Sequence, residues 1–280
     1  MENEEINRLR QLKKELLEKV NQLKDSLKRH EENRHQSSSN FTVTLPSDDE
    51  NQESSTELSS NSKVRQCKTA SHITGITFED VSKDWLHDNI YMYKATVVTR
   101  TITFNLELKV DFKNTSNFKI DNIMCYFTDI NNCYMLEISP WCQQITNRKN
   151  FSVLMSALSG YNENNILRSK ILHSLESKRY ASIEHNEDDG GMLVHVHSPV
   201  DTKKNYVIFH WMLKFLELTW QIEHYFTVNP TNIGIEFSEQ NSSLLKDFCE
   251  ITFTKNSLIK LWDKLCTAVD TYAKSTKGTL

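Results

Sequence analysis

The sequence predicts an α+β protein, and three observations carry the prediction. From Phe104 to Phe112 apolar and polar residues alternate strictly, the period of a strand with one buried and one wet face. From Phe151 the apolar spacing changes to that of a helix, through Leu154, Met155 and Leu158. The same order, strands and then helices, recurs after residue 185. Runs of strands separated by runs of helices argue for antiparallel sheets with helices on one face of each.

Residues 1–32 read as a coiled-coil helix. A heptad frame puts Ile6, Lys13, Val20 and Leu27 at a, and Leu9, Leu16 and Leu23 at d. A helix of under four heptads is marginal in water, so this stripe is expected to form against a partner chain. Its eight Lys/Arg match eight Asp/Glu, so it carries no net charge. Residues 33–66 are rich in serine, with an acidic cluster at Asp48, Asp49, Glu50, Glu53 and Glu57. Such a composition buries too little to offset the entropy of ordering, and the stretch is read as a disordered linker.

A first domain, 67–159, opens at Ile73-Thr74-Gly75-Ile76. Strands are expected at about 90–99, 103–112 and 118–127, with a turn at Asn114–Asn117, a short fourth strand at 132–138, and a helix from Phe151. A second domain, 160–280, starts after Gly160 with a helix over about 161–184, using Ile166, Leu167, Ile171, Leu172, Leu175 and Tyr180. The Asp188–Gly191 turn leads to strands at about 191–197, 205–215 and 218–228. The last sets Leu218, Trp220, Ile222, His224, Phe226 and Val228 on one face. Helices at about 241–250 and 255–274 close the chain, the second carrying Leu258, Leu261, Trp262, Leu265 and Val269.

The totals restrict function. With 33 basic against 37 acidic residues and a pI near 6.2, no general attraction to nucleic acid or membrane is built in. No apolar run reaches the roughly 18 residues of a membrane-spanning helix, and the N-terminus alternates charges, unlike a signal peptide. Cys67, Cys125, Cys133, Cys142, Cys249 and Cys266 form no C-x-x-C pair, the pattern of reduced thiols in a cytosolic or nuclear protein.

Chemistry is sought and not found. No G-x-G-x-x-G or Lys-Ser/Thr phosphate cradle is present. His195 and His197 share a strand face, but no third metal ligand is spaced to join them, and both are expected on the wet face. Cys125, Cys133 and Cys142 are weighed as nucleophiles, and Cys125, within an apolar strand, and Cys142, beside Pro140-Trp141, read as structural thiols. No catalytic, cofactor or metal residue is therefore assigned. A partner surface is. Strand Tyr206–Phe215 is apolar on both faces, with Val207, Phe209, Trp211, Leu213 and Phe215 on one and Ile208 and Met212 on the other. A sheet covered on one side leaves the second set needing a cover, so Ile208 and Met212 join Ile6, Leu9, Leu16, Val20, Leu23 and Leu27 as candidate partner-binding residues.

The order of segments resembles the centromere protein P family. The residues are Ile73-Thr-Gly-Ile76, the three-strand meander, a helical stretch ending Lys178-Arg-Tyr-Ala181, Met192-Leu-Val-His-Val196, Val207-Ile-Phe-His-Trp211 and Thr227-Val-Asn-Pro230 before the last helices. The resemblance covers about residues 70–272 and lies in order and spacing rather than in any one motif. It implies tandem RWD domains, relatives of the ubiquitin-conjugating fold without its catalytic cysteine. It further implies a non-enzymatic subunit of the inner kinetochore in the nucleus, paired with centromere protein O and contacting centromere proteins Q and U during mitosis. Two rivals stand beside it, a tandem-RWD scaffold of another complex and a ubiquitin-conjugating-like enzyme. For the second, Ser139-Pro140-Trp141-Cys142 is the nearest approach to a catalytic segment and lacks its histidine and asparagine.

Because the heptad stripe has no partner identifiable within the chain, it is expected to serve assembly and not the fold of the body. Leu16→Asp with Leu23→Asp is expected to abolish co-purification with a helical partner while leaving the melting of residues 67–280 unchanged. Retention of every partner removes the attachment role.

Overall fold

The computed structural model describes residues 65–114, 117–128, 130–249 and 253–277, together with Gln11 and Lys13, both helical. The heptad residues Ile6, Leu9, Leu16, Val20, Leu23 and Leu27 and the acidic cluster lie outside the described residues. All other described elements belong to one compact unit, Ser60–Leu280.

Helix α1 occupies residues 65–74, so the stretch read as linker to residue 66 already gives way to helix at residue 65. Strands β1 (Thr77–His87), β2 (Ile90–Val98), β3 (Thr103–Asn114) and β4 (Asn117–Tyr126) then form an antiparallel sheet in that order. The alternation read in β3 holds, with Phe104, Leu106 and Val110 buried and Thr103 and Asn105 exposed. A second antiparallel sheet contains β5 (Ala181–His185), β6 (Met192–Ser198), β7 (Asp201–Leu216) and β8 (Gln221–Pro230), again in chain order. Between the sheets lie α2 (Asn132–Asn147) and α3 (Phe151–Ser177). After β8 come a 3-10 turn, α4 (Ile235–Gln240), α5 (Ser242–Asp247) and α6 (Lys255–Lys277).

The fold differs from the sequence reading at places with identifiable causes. The segment expected as a fourth strand at 132–138 is the first half of α2. Asn131 caps it by accepting a hydrogen bond from the Cys133 amide at 3.0 Å. Cys133, Glu137, Ile138, Trp141, Cys142 and Ile145 then recur at helical spacing on its buried side. The fourth strand of the first sheet is instead β1, an edge strand whose residues are all exposed.

The helices expected on either side of Gly160 are one, α3, capped by the Asn150 side chain at the Val153 amide. It ends earlier than read, in a Schellman arrangement. Tyr180 N–H donates to Leu175 O and Arg179 N–H to Glu176 O, with Arg179 in the left-handed region at φ 59°. The remainder of the expected helix becomes β5. The first half of α3 places Leu154, Leu158 and Tyr161 in a core with the first sheet and α2. Its second half places Leu167, Ile171, Leu172 and Leu175 in a core with the second sheet and α6. A boundary at 159/160 therefore falls inside a helix common to both halves. Leu218 and Trp220 are not in the last strand either; they sit in the turn before β8, where Trp220 has φ 59° and Leu218 is exposed.

The two halves meet at a buried ion pair. Glu137 of α2 and Arg168 of α3 have side chains without solvent exposure and approach to 2.6 Å. The guanidinium faces the carboxylate as a fork, Nη1 on Oε1 and Nη2 on Oε2 at 2.8 Å. Its remaining N–H groups donate to Asn165 Oδ1, from Nε at 3.2 Å and Nη2 at 2.9 Å, and to the Trp211 carbonyl, from Nη1 at 3.3 Å. Glu137 also accepts from Tyr161 OH at 2.7 Å and from the Leu213 amide of β7 at 2.8 Å. Every guanidinium donor and every carboxylate lone pair thus has a partner. Burial alone pushes Arg168 toward neutrality, but the Glu137 charge and its hydrogen bonds outweigh that and hold Arg168 above its ordinary value. Burial first, and the Glu137 charge second, keep the Tyr161 hydroxyl protonated well past its ordinary range.

Removing one partner strands the other charge out of water. Glu137→Gln or Arg168→Met is expected to cost about 3–5 kcal/mol, a fall in Tm on the order of 10 °C for a body of this size. The double change Glu137→Leu, Arg168→Met is expected to recover only part of this, because the Tyr161 hydroxyl and Leu213 amide still lose their acceptor. Urea unfolding of the four proteins measures the coupling; a double variant as stable as wild type refutes this account of the junction.

Candidate interaction surface

Helices cover one face of each sheet, and the uncovered apolar residues define the surface available to partners. In the second sheet, register sets the outer face directly. Ile208 pairs with His195 on one side and Asn229 on the other, and Met212 pairs with Tyr225. Ile208, His210, Met212, Leu193 and His195 are all half-buried, whereas Val207, Phe209, Trp211 and Leu213 on the inner face are buried. Met212 also lines a cleft with Leu136, Pro140 and Trp141 of α2, so part of its cover comes from within the chain. Ile208 has no such neighbour in that cleft. Tyr225 is exposed and carries the Lys214 ammonium over its ring at 3.6 Å.

The close approach of β6 to α2 fixes this face. Gly191, at φ 77°, lies where a Cβ would stand 2.6 Å from the Trp211 carbonyl and 3.2 Å from Glu137 Oε1. Gly190 N–H donates to Asn186 O, and Gly191 N–H reaches the Cys133 carbonyl. The Asp188–Gly191 turn is thus pinned to the start of α2.

A second surface was not legible in the sequence. Helices cover only part of the first sheet's inner face, where Val97, Phe104 and Leu106 are buried. Farther along the same face the cross-strand register brings Lys83 opposite Tyr93, Trp85 opposite Tyr91, and Phe112 opposite Phe118. Tyr91 meets Phe112 edge-on at 5.6 Å, and Lys83 Nζ stands 4.1 Å from the Tyr91 ring centre. Trp85 and Phe118 are each 65% exposed, which leaves an aromatic patch open at this end of the sheet. The residue types and their alternation were visible, but alternation does not say how far along a strand the covering helices extend.

The residues weighed for chemistry fall elsewhere. His197 is buried and not on the wet face as expected from simple alternation, at a register shift where β7 carries an extra residue, Tyr206, opposite the Val196–His197 step. His195 Nε2 stands 3.5 Å from Glu184 Oε2 instead. Among the described residues no group of three or more His, Cys, Asp or Glu is arranged to hold a metal. Burial pushes the Cys133 thiol up to about 11, and the Cys125 hydrogen bond, with burial, raises Cys142 much further, so neither presents a thiolate near neutrality. No protein-family model matches the chain, and no curated protein matches it significantly.

One titration is set by the second core. Burial, aided by the Arg168 charge, lowers His224 from 6.5 to about 3, and its Nδ1 accepts from Trp211 Nε1 at 3.1 Å. Below pH 6.5 the unfolded chain takes up a proton that the folded chain refuses, so this contribution is complete above the unfolded value and declines as pH falls toward 3. Between pH 7 and 5 wild type is expected to lose roughly 2 kcal/mol more than His224→Gln, which keeps an acceptor for Trp211 without titrating. Urea titrations at both pH values decide it; parallel losses place the His224 proton elsewhere.

Proposed function

We propose that this chain is a non-enzymatic assembly subunit of the inner kinetochore, with its two sheet-and-helix halves acting as tandem RWD domains paired to centromere protein O. The observation that carries the reading is the repetition of one unit: a four-stranded antiparallel meander in chain order, followed by helices on a single face. The segments on which the resemblance rests lie within or beside these elements. Ile73–Ile76 joins α1 to β1, Met192–Val196 lies in β6, Val207–Trp211 forms the middle of β7, and Thr227–Pro230 ends β8 ahead of the closing helices. Uncovered apolar side chains on both sheets suit a chain that works by contact. The ubiquitin-conjugating alternative draws no support from the thiols that follow the first meander, since Cys133 and Cys142 are buried. Nuclear, centromeric localisation, contacts with centromere proteins Q and U, and a role in chromosome segregation belong to the same proposal.

Co-expression with centromere protein O tests it. The wild-type chain is expected to co-purify as a one-to-one heterodimer, and Ile208→Glu with Met212→Lys to dissociate it. The isolated variant is expected to stay folded, with a stability loss of about 1–3 kcal/mol from the partly covered Met212. A variant chain that fails to fold identifies the face as internal core, and a wild-type chain that never binds centromere protein O overturns the kinetochore reading.

A further inference from the structure

Helices α3 and α6 lie side by side over the second core, and a groove runs between them. It consists of two cavities of about 240 Å³ each. Leu167, Ile171, Leu175 and Trp262 form the apolar lining of one, with Ile259 exposed beside them. His224, Phe253 and Ile166 line the other. Leu167, Lys170 and Lys255 belong to both, so the groove's centre carries two ammonium groups and no acid. Glu163 lines only the cavity beside His224, and Asp263 only the cavity beside Trp262, where Lys178 adds a third cation. Among the described residues none of the three lysines forms an ion pair; the pairs present involve other side chains.

The lining also holds two buried polar atoms without partners, His224 Nε2 and Trp262 Nε1. Trp262 Nε1 can only donate. His224 receives the Trp211 indole proton on Nδ1, so its own hydrogen sits on Nε2, which is a donor as well. The groove therefore carries two ammonium groups at its centre over an apolar floor, and each cavity holds one unpartnered N–H donor buried in its lining. What completes such a site must bring acceptors and negative charge together with apolar bulk. We infer that the groove docks a segment of another protein chain in which an Asp or Glu side chain, set between Lys170 and Lys255, neighbours a Leu, Ile or Phe that fills the cavity beside Ile259. This deepens the assembly reading by naming a second contact surface, and it depends on that reading only in taking the ligand to be protein. The groove lies on the helical side of the second sheet, away from Ile208 and Met212 on the outer face.

Peptide display on the full chain provides the test. Selected peptides are expected to be enriched in Asp or Glu near Leu, Ile or Phe. By fluorescence anisotropy, Lys170→Glu with Lys255→Glu is expected to weaken them at least tenfold, with unchanged melting because both lysines are exposed. Lys83→Glu, on the first sheet, is expected to leave binding unchanged. Peptides with the acid replaced by Lys are expected to regain affinity for the charge-reversed chain. The proposal fails if no peptide is selected, if the peptides lack acids, or if they bind the charge-reversed chain equally well. It fails too if sedimentation shows a homodimer that the charge reversal dissolves, since the occupant is then a second copy, or if a single-stranded oligonucleotide competes through the same lysines. Co-purification with centromere protein O is scored separately on the wild-type chain. Loss of the heterodimer with intact peptide binding, or the reverse, shows which reading has failed.

Discussion

The Glu137–Arg168 pair is the constraint on which the rest of this structure depends. An apolar contact between α2, α3 and β7 would leave several relative placements close in energy, because hydrophobic burial is non-directional. A buried fork of two charges allows one. Glu137 can satisfy four donors only when α3 supplies Tyr161 and Arg168 and β7 supplies the Leu213 amide at the same time. Arg168 can place its remaining protons only when Asn165 and the Trp211 carbonyl are in position. Desolvating both charges costs several kcal/mol each, so the pair adds little net stability. What it supplies is a penalty on every other arrangement of the second sheet against the first.

That constraint was the least legible part of the sequence. Glu137 lay in a segment read as a strand, and Arg168 on a helix where a charge is ordinarily a solvated face. Nothing in local pattern joins residues 31 positions apart. Strands were easier to read: β2, β3, β4, β6 and β7 fall near their expected positions because each alternates or runs apolar over its length. Helix ends were not. Lys149 and Arg179 take the left-handed positions after α2 and α3 where glycine is the usual signal, and the sequence therefore showed no stop. Gly160, where the second domain was expected to begin, is an ordinary helical position where a Cβ would meet only the Ile222 side chain at 3.9 Å.

The surfaces were partly legible for a related reason. Apolar residues on both faces of β7 marked Ile208 and Met212 from composition alone, but the half-burial of Met212 depends on α2, whose type had been misread. The aromatic end of the first sheet needs the cross-strand register, which assembles Trp85, Tyr91, Phe112 and Phe118 from four strands. The interhelical groove needs still more, since its lysines come from helices 85 positions apart in sequence, 170 and 255. Legibility falls with the number of separate elements a site recruits.

The junction and the groove are joined through one residue. Trp211 accepts from Arg168 at its carbonyl and donates from its indole to His224. Arg168 thereby helps fix β7 at the point where the indole leaves it, and the indole proton decides the histidine tautomer. With Nδ1 occupied, His224 has only its Nε2 hydrogen left, on a ring that lines the groove. Burial and the Arg168 charge both oppose a second proton on that ring, so the donor is neutral and keeps one orientation. A polar group buried without a partner destabilises the free chain, and a partner that supplies its acceptor relieves that cost on binding. The same network that orients the two sheets thus leaves an unmet donor on the groove, where a carboxylate or carbonyl of a docked segment would complete it.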